Sequence, residues 1–373
     1  MTKEEYNYWL ANIHNIGNRK IESLLQYFGC AEEIFRTSKD ELKKFIQSSN
    51  AEVKFIKTDL DAIDRSKDEE NIHNAYAKLK KNGIYFVSRE DEHYPGKLRN
   101  IYDAPFGLYV KGRLPKEDEK ILAVVGAREC SSYGREVAKH IVSNVAKEGI
   151  SIVSGLARGV DSYAHEGALS SGGITYGIMG CGIDICYPKE NINLYMELQK
   201  DGGIISEYAP GIKPLSGHFP MRNRIISGLS EGILVIEARE KSGSLITVDM
   251  GLEQGKDIYA IPGRITDKLS CGCNNLIKMG AKLVTTPKDI LEDFLPNYEQ
   301  TMDEMKKNNL ILETNGKIVY ACLSLQPKHF EEIAIQTGLA IDLLSEQLLL
   351  LELRGLVQQT SKNYYIARDI NIF

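Results

Sequence analysis

The stretch Ile121-Leu122-Ala123-Val124-Val125-Gly126-Ala127-Arg128 decides the fold. Five consecutive apolar residues suit a strand covered on both faces, because successive side chains of a strand point to opposite sides. The glycine that follows predicts a tight turn, and Ser131, Ser132, Tyr133 and Gly134 predict the opening of a helix. The same texture recurs at Ser151–Ser154, Thr175–Met179, Gly203–Ser206, Ile233–Ile236, Ile258–Ile261 and Ala281–Val284, with helical patterns between the runs. Such alternation predicts an α/β domain over residues 121–294, a doubly wound Rossmann-like parallel sheet with helices on each face.

Four strand ends carry glycine and small polar residues where a helix must start. They are Gly126-Ala127-Arg128, Ser154-Gly155-Leu156-Ala157-Arg158-Gly159-Val160-Asp161, Gly177-Ile178-Met179-Gly180-Cys181-Gly182, and Lys241-Ser242-Gly243-Ser244-Leu245-Ile246-Thr247. Glycine lets the backbone approach a ligand closely, and free N–H groups at a helix start attract anions, phosphate above all. Four such turns along one sheet predict a phosphate-lined edge, since open α/β sheets bind ligands at the carboxyl ends of their strands. Gly126 is followed by Ala127 and Arg128 rather than by further glycines, so neither a nicotinamide nor a flavin is expected, and no other cofactor is. Arg128 and Arg158 stand beside two of the turns, placed for bidentate phosphate contacts or for structural salt bridges. In His218-Phe219-Pro220-Met221-Arg222-Asn223-Arg224-Ile225-Ile226-Ser227-Gly228-Leu229, two arginines flank an asparagine shortly after an aromatic. Cations for phosphates and a flat face for a base are what single-strand binding needs. The same residues also fit a packed Phe219 whose neighbouring arginines cap carbonyls.

Outward from this centre the texture changes. Residues 1–100 read as small helices, with Tyr8, Leu10, Ile13, Ile16, Ile21, Leu24, Leu25 and Phe28 at helical spacing. Ile13–Phe28, turning at Ile16-Gly17-Asn18-Arg19, fits a helix-hairpin-helix whose backbone N–H groups meet a phosphate, and equally a plain helical bundle. Lys78–Val87 reads as a helix end, a Gly83 cap and a strand; a connection over residues 101–120, charged at Lys111–Lys120, then leads into the central domain. Residues 295–315 are polar and read as a linker. Residues 316–373 have winged-helix texture, but the helix Asp342–Arg354 is mostly leucine with acidic polar positions, which favours a protein-contact or architectural role over reading of a DNA groove, with Arg354, Lys362 and Arg368 left as candidate backbone contacts.

Composition sets the outer bounds. With 43% hydrophobic and 26% charged residues the chain is globular, and no run approaches the roughly 20 apolar residues that span a bilayer. A formal net charge of −5 excludes a uniformly basic coat but not a local cationic groove. Seven cysteines, scattered except for Cys271 and Cys273, suit reduced thiols in the cytoplasm and offer no four-ligand zinc site.

Six ordered motifs then carry a resemblance: Gly126-Ala127-Arg128, Ser154–Asp161, Gly180-Cys181-Gly182-Ile183-Asp184 with Tyr187-Pro188, Phe219–Ile226, Ser242–Thr247 and Ile261-Pro262-Gly263. Together they make the central domain similar to the DprA/Smf family, and the flanking regions resemble that family's helical (helix-hairpin-helix or SAM-like) N-terminal domain and winged-helix C-terminal domain. The resemblance implies a cytoplasmic, non-catalytic protein that binds single-stranded DNA. It further implies a homodimer through the Rossmann domain, one that places RecA recombinase on incoming DNA during natural transformation. Carried over by residue, it implies DNA contacts at Arg128, Phe219, Arg222 and Arg224, with Lys189 as a further basic candidate. Joined with the turns, the expected phosphate- or DNA-binding set is Gly126, Arg128, Ser131, Ser132, Gly155, Arg158, Gly159, Lys189, Phe219, Arg222, Asn223, Arg224, Ser242, Gly243, Ser244 and Thr247. There are departures: Ala127 stands where the family usually has serine, and Ser216 and Gly217 separate Lys213 from Phe219.

Two rival functions draw on the same residues. A phosphoribohydrolase-like enzyme requires a catalytic glutamate where this chain has Met250, and Asp249 is one position off. A nucleotide-sensing module would place a small ligand in the glycine turns. His165 lacks a nucleophilic partner by motif, Asp184 reads as ordering its glycine turn, and Cys181 and Cys186 read as buried thiols.

Overall fold

A computed structural model describes residues 1–47, 53–295, 298, 314–324 and 326–368. The chain forms two compact units, Met1–Pro296 and Asn297–Phe373. Most of the expected linker, 295–315, lies outside the described residues.

The first unit opens with helices α1 (Lys3–Ala11), α2 (Asn18–Phe28), α3 (Ala31–Arg36), α4 (Lys39–Gln47), α5 (Lys57–Arg65) and α6 (Glu69–Lys81). Thr2 starts α1 with a capping box: its hydroxyl accepts from the Glu5 N–H at 3.3 Å and its own N–H donates to the Glu5 carboxylate at 2.7 Å. The helices bury Trp9, Leu10, Ile21, Leu24, Ile34, Leu42 and Ile63 in a core of their own. They also lean on the sheet, where the Tyr8 ring meets Tyr76, Phe86 and Tyr109 at centroid distances of 5.5, 5.5 and 6.4 Å. The hairpin falls earlier than expected, with α1 ending at Ala11 and Gly17 capping α2. Asn18 donates to Glu207 at 2.8 Å and accepts from the Phe106 N–H at 2.9 Å. That side chain joins the helices to the central domain.

After α6 come β1 (Tyr85–Ser88), α7 (Gly96–Arg99) and β2 (Gly107–Gly112). The central series is β3 (Ile121–Gly126), α8 (Ser132–Lys147), β4 (Ser151–Ser154), α9 (Val160–Ser170), β5 (Thr175–Met179), α10 (Ile192–Asp201), β6 (Gly203–Ser206) and α11 (His218–Leu229). It continues with β7 (Gly232–Ile236), α12 (Gly243–Glu253), β8 (Asp257–Ala260), α13 (Cys271–Lys278), β9 (Lys282–Leu283) and α14 (Lys288–Phe294). The nine-stranded sheet runs β1-β2-β6-β5-β4-β3-β7-β8-β9. From β6 to β9 all pairings are parallel, whereas β1–β2 and β2–β6 are antiparallel. The sheet is therefore mixed: residues 101–120, expected as a connection, contribute β2. Strand order reverses between β3 and β7, paired from Leu122↔Gly232 to Gly126↔Ile236. At such a switch point the loops leave in opposite directions and open a crevice.

The second unit holds α15 (Thr314–Ala321), β10 (Lys328–His329), α16 (Phe330–Thr337), α17 (Ile341–Leu353), β11 (Val357–Ser361) and β12 (Tyr364–Ala367). Its sheet runs β10-β12-β11 over a core that includes Val319, Ile333, Leu344, Leu348 and Val357, a winged-helix arrangement. Gly338 ends α16 in the left-handed region at φ 65°. On α17, Asp342, Ser345, Glu346, Leu349 and Leu353 are exposed.

Candidate nucleic-acid interface

A cavity of about 660 Å³ opens where the order of β3 and β7 reverses. It is lined from β3 by Gly126, Ala127, Arg128 and Glu129, from β7 by Arg239, Lys241, Ser242, Gly243, Ser244 and Thr247, and from α11 by Phe219, Pro220, Arg222 and Asn223. Ala157, Asp161 and Tyr187 complete the side nearest β4 and β5.

The four glycine turns do not share one fate. At the start of α8, the Ser131 N–H donates to the Glu237 carboxylate at 2.7 Å, and the Ser131 hydroxyl donates to the same group. Glu237 is 4% exposed and holds a left-handed φ of 52°, a conformation costly for any residue with a Cβ. A carboxylate of the protein thus sits where a phosphate was expected, and Ser131 and Ser132 lie outside the cavity lining. In the second turn, Asp161 accepts from the N–H groups of Gly155 at 3.1 Å and Ala157 at 3.4 Å. In the third, the Gly182 N–H donates to the Ile212 carbonyl at 2.8 Å, and Asp184 accepts from the Gly211 N–H at 2.8 Å. In the fourth, the Ser242 hydroxyl caps α12 by accepting from the Ser244 N–H at 3.4 Å, and a Cβ built on Gly243 would meet nothing within 4 Å. In three of the four turns internal carboxylates or carbonyls take N–H groups expected to meet phosphate, although Gly126, Ala127 and Arg128 of the first turn still line the cavity.

Burial sorts the arginines. Arg222 is 4% exposed, donates to the Ile178 carbonyl, and lies so close to Gly155 that a Cβ there would overlap its guanidinium. Desolvation pushes its pKa down to about 10, with the Asp161 carboxylate opposing; burial raises Asp161 in turn, with Arg222 opposing. Arg224, expected to contact DNA, instead donates from one terminal nitrogen to both Glu207 oxygens at 2.7 Å, and its Nε lies 3.6 Å from Asp103. It is 5% exposed and does not line the cavity. Arg158 is exposed and paired with Glu190, and Lys189 is exposed in a single 3₁₀ turn; both stand outside the lining. Gly155 and Gly159 shape the floor rather than line it: Gly159 has φ 74°, and a Cβ on it would strike the Ala127 carbonyl.

Phe219 lies beneath two partners. Its ring centroid is 5.6 Å from that of Tyr187, tilted by 31°, and 5.6 Å from the Arg128 guanidinium carbon. The expected contact set left out Tyr187, Arg239 and Lys241, although Tyr187 and Lys241 stand within stretches the sequence singled out. Arg239 and Lys241 were detectable as cations immediately ahead of the Ser242 turn.

The cavity holds Arg128, Arg222, Arg239 and Lys241 against Glu129 and Asp161. His165 is fully buried, its Nδ1 2.7 Å from the Thr175 hydroxyl, and desolvation pushes its pKa down to about 3. Burial pushes the Cys181 thiol up to about 11. Asp249 and Met250 lie outside the lining. Among the described residues no cluster of three His, Cys, Asp or Glu side chains is placed to hold a metal, and no single helix is long and apolar enough to cross a membrane.

Residues 85–295, more than half of the chain, match the family model of DNA recombination-mediator protein A. The chain belongs to the DprA family. Residues 310–361 match the DprA winged helix domain. The DNA processing protein DprA of Streptococcus pneumoniae is 48% identical over 204 residues, spanning 55% of this chain and 72% of that relative. The X-ray structure of the Streptococcus pneumoniae DprA superposes with a TM-score of 0.66 and 36% identity, covering 79% of this chain and 98% of the other. DNA processing protein A of Helicobacter pylori, solved for its unique single-stranded DNA binding mode, superposes with a TM-score of 0.53 and 29% identity over 58% of this chain and 97% of the other.

Proposed function

We propose that this DprA-family chain binds single-stranded DNA in the crevice between β3 and β7 and breaks no bond in it. One observation carries the reading: an aromatic pair and four cations converge on one cavity at the strand ends. Phosphates are held by Arg128, Arg222, Arg239, Lys241 and the Ser242-Gly243-Ser244 turn, with Asn223 and Thr247 as neutral donors, while Gly126 on the same lining packs against the Ile236 carbonyl. A base stacks at the Tyr187–Phe219 pair, displacing the Arg128 guanidinium that stands over the Phe219 ring. Binding of this kind tolerates any sequence, because every base offers a flat face and every nucleotide a phosphate.

Family membership and the Helicobacter pylori relative support the larger role. In it, the chain coats DNA entering the cytoplasm in natural transformation and delivers RecA recombinase to it, working as a homodimer through the Rossmann domain. The C-terminal unit serves protein contact, since acidic Asp342 and Glu346 beside exposed Leu349 and Leu353 repel a phosphate backbone. The test is competition between single- and double-stranded oligonucleotides of equal length, repeated with Phe219→Ala. A preference for the single strand is expected, with loss of about 1–3 kcal/mol of binding in the variant from missing stacking. Equal competition by duplex, or an unaffected variant, refutes the assignment.

A further inference from the structure

We propose that the outer face of α17 docks a basic amphipathic helix of a partner protein. The proposal rests on the reading of the C-terminal unit as a protein-contact module and adds the chemistry of the partner. Eight of the thirteen residues of α17 are leucine or isoleucine, yet of these only Leu344, Leu348 and Leu351 are buried. A surface helix needs one apolar stripe for its own core, whereas a helix that is apolar on both sides is covered on both sides. On the outward side, one turn apart, Leu349 is 58% exposed and Leu353 is 76% exposed. Ile341 at the start of the helix and Leu350 are exposed as well. Apolar exposure gathered on one helix face and rimmed by polar residues marks a protein contact.

Charge selects the occupant. Between Lys328 and Arg354 there is no lysine or arginine, and the charged residues are Glu331, Glu332, Asp342, Glu346 and Glu352. Asp342, Glu346, Leu349 and Leu353 follow the i, i+4, i+7, i+11 spacing of one stripe, so the face presents leucine among carboxylates. Such a face repels DNA phosphates and anionic lipid headgroups. It also opposes a second copy of itself. Two α17 helices packed antiparallel about Leu349 set Glu346 against Glu352, and two packed in parallel set each carboxylate against its twin. What fits is a helix with apolar anchors at i, i+3, i+4 and i+7 and with lysine or arginine beside them.

The experiment uses the full chain and fluorescence anisotropy of two labelled designed peptides. Both carry leucine at i, i+3, i+4 and i+7; the polar face is lysine in one and glutamate in the other. The lysine peptide is expected to bind, and Leu353→Ser to weaken it about tenfold. The double variant Asp342→Lys, Glu346→Lys is expected to reverse the order of the two peptides. Both variants change exposed residues, and far-UV circular dichroism checks that they fold. Lysine-peptide affinity that is absent, or unmoved by both variants, overturns the proposal while leaving the protein-contact reading intact. Self-association of the chain that Leu353→Ser abolishes gives the face to a second copy and overturns it too. So does binding to phosphatidylcholine vesicles that depends on Leu353. Oligonucleotide affinity is expected to be the same in Leu353→Ser as in the wild type. Its loss overturns the protein-contact reading itself, and this proposal with it.

Discussion

Arg222 and Arg224 stand two residues apart on α11, and a helix turns about 200° over that interval. They cannot share a face. One reaches the cavity, and the other is buried against Glu207 and Asp103. Arg224→Gln strands the Glu207 carboxylate, so it is expected to cost about 3–5 kcal/mol of stability, measured by urea unfolding. Oligonucleotide binding by the fraction that stays folded should keep the wild-type salt dependence. His165 makes a second residue-scale prediction. Its folded pKa is depressed to about 3 from an ordinary 6.5, so the unfolded chain takes up the proton first as pH falls. The stability it contributes is whole above about pH 6.5 and drains toward pH 3, by at most about 1.4 kcal/mol per pH unit. Unfolding titrations across that range should be flatter for His165→Asn than for the wild type. An identical slope would remove His165 as the cause.

At the level of elements, β3 to β8 were legible because each is a run of apolar residues bounded by glycine or a small polar residue, and both faces of these strands are covered. β2 escaped notice because only Leu108-Tyr109-Val110 is apolar, between Gly107 and the charged Lys111–Lys120 stretch. The turns were legible as turns, but not their occupants. Glu237 lies 106 residues from the Ser131 it holds, and no local pattern announces a contact at that separation. Likewise, Arg224 looked like a DNA contact because the Glu207 that claims it sits at the end of β6, ahead of α11. Glu237→Gln keeps the shape but removes the charge that faces the start of α8. A loss of about 1–2 kcal/mol is expected from the helix dipole, read by chemical unfolding, while oligonucleotide affinity stays near that of the wild type.

For the whole molecule, a formal net charge of −5 coexists with a cationic crevice. The proposed binding would therefore steer strands to one place rather than adsorb them everywhere, and association is expected to slow as salt rises. The helical domain and the sheet share one compact unit, Met1–Pro296, which contains every residue of the cavity. A fragment of residues 1–296 should fold alone and bind a short oligonucleotide within about 0.5 kcal/mol of the full chain, the additivity of independent parts. Titration of both proteins with the same labelled strand checks this. A large loss in the fragment would move part of the DNA contact to the C-terminal unit.

With Glu237 and Asp161 in place, the molecule is its own electrolyte along the sheet edge. On the proposed strand-binding reading, dissolved sulfate or inorganic phosphate competes with a strand at the crevice turns that line the cavity, Gly126-Ala127-Arg128 and Ser242-Gly243-Ser244. DNA affinity is therefore expected to weaken in phosphate buffer relative to chloride of equal ionic strength, through competition for the crevice.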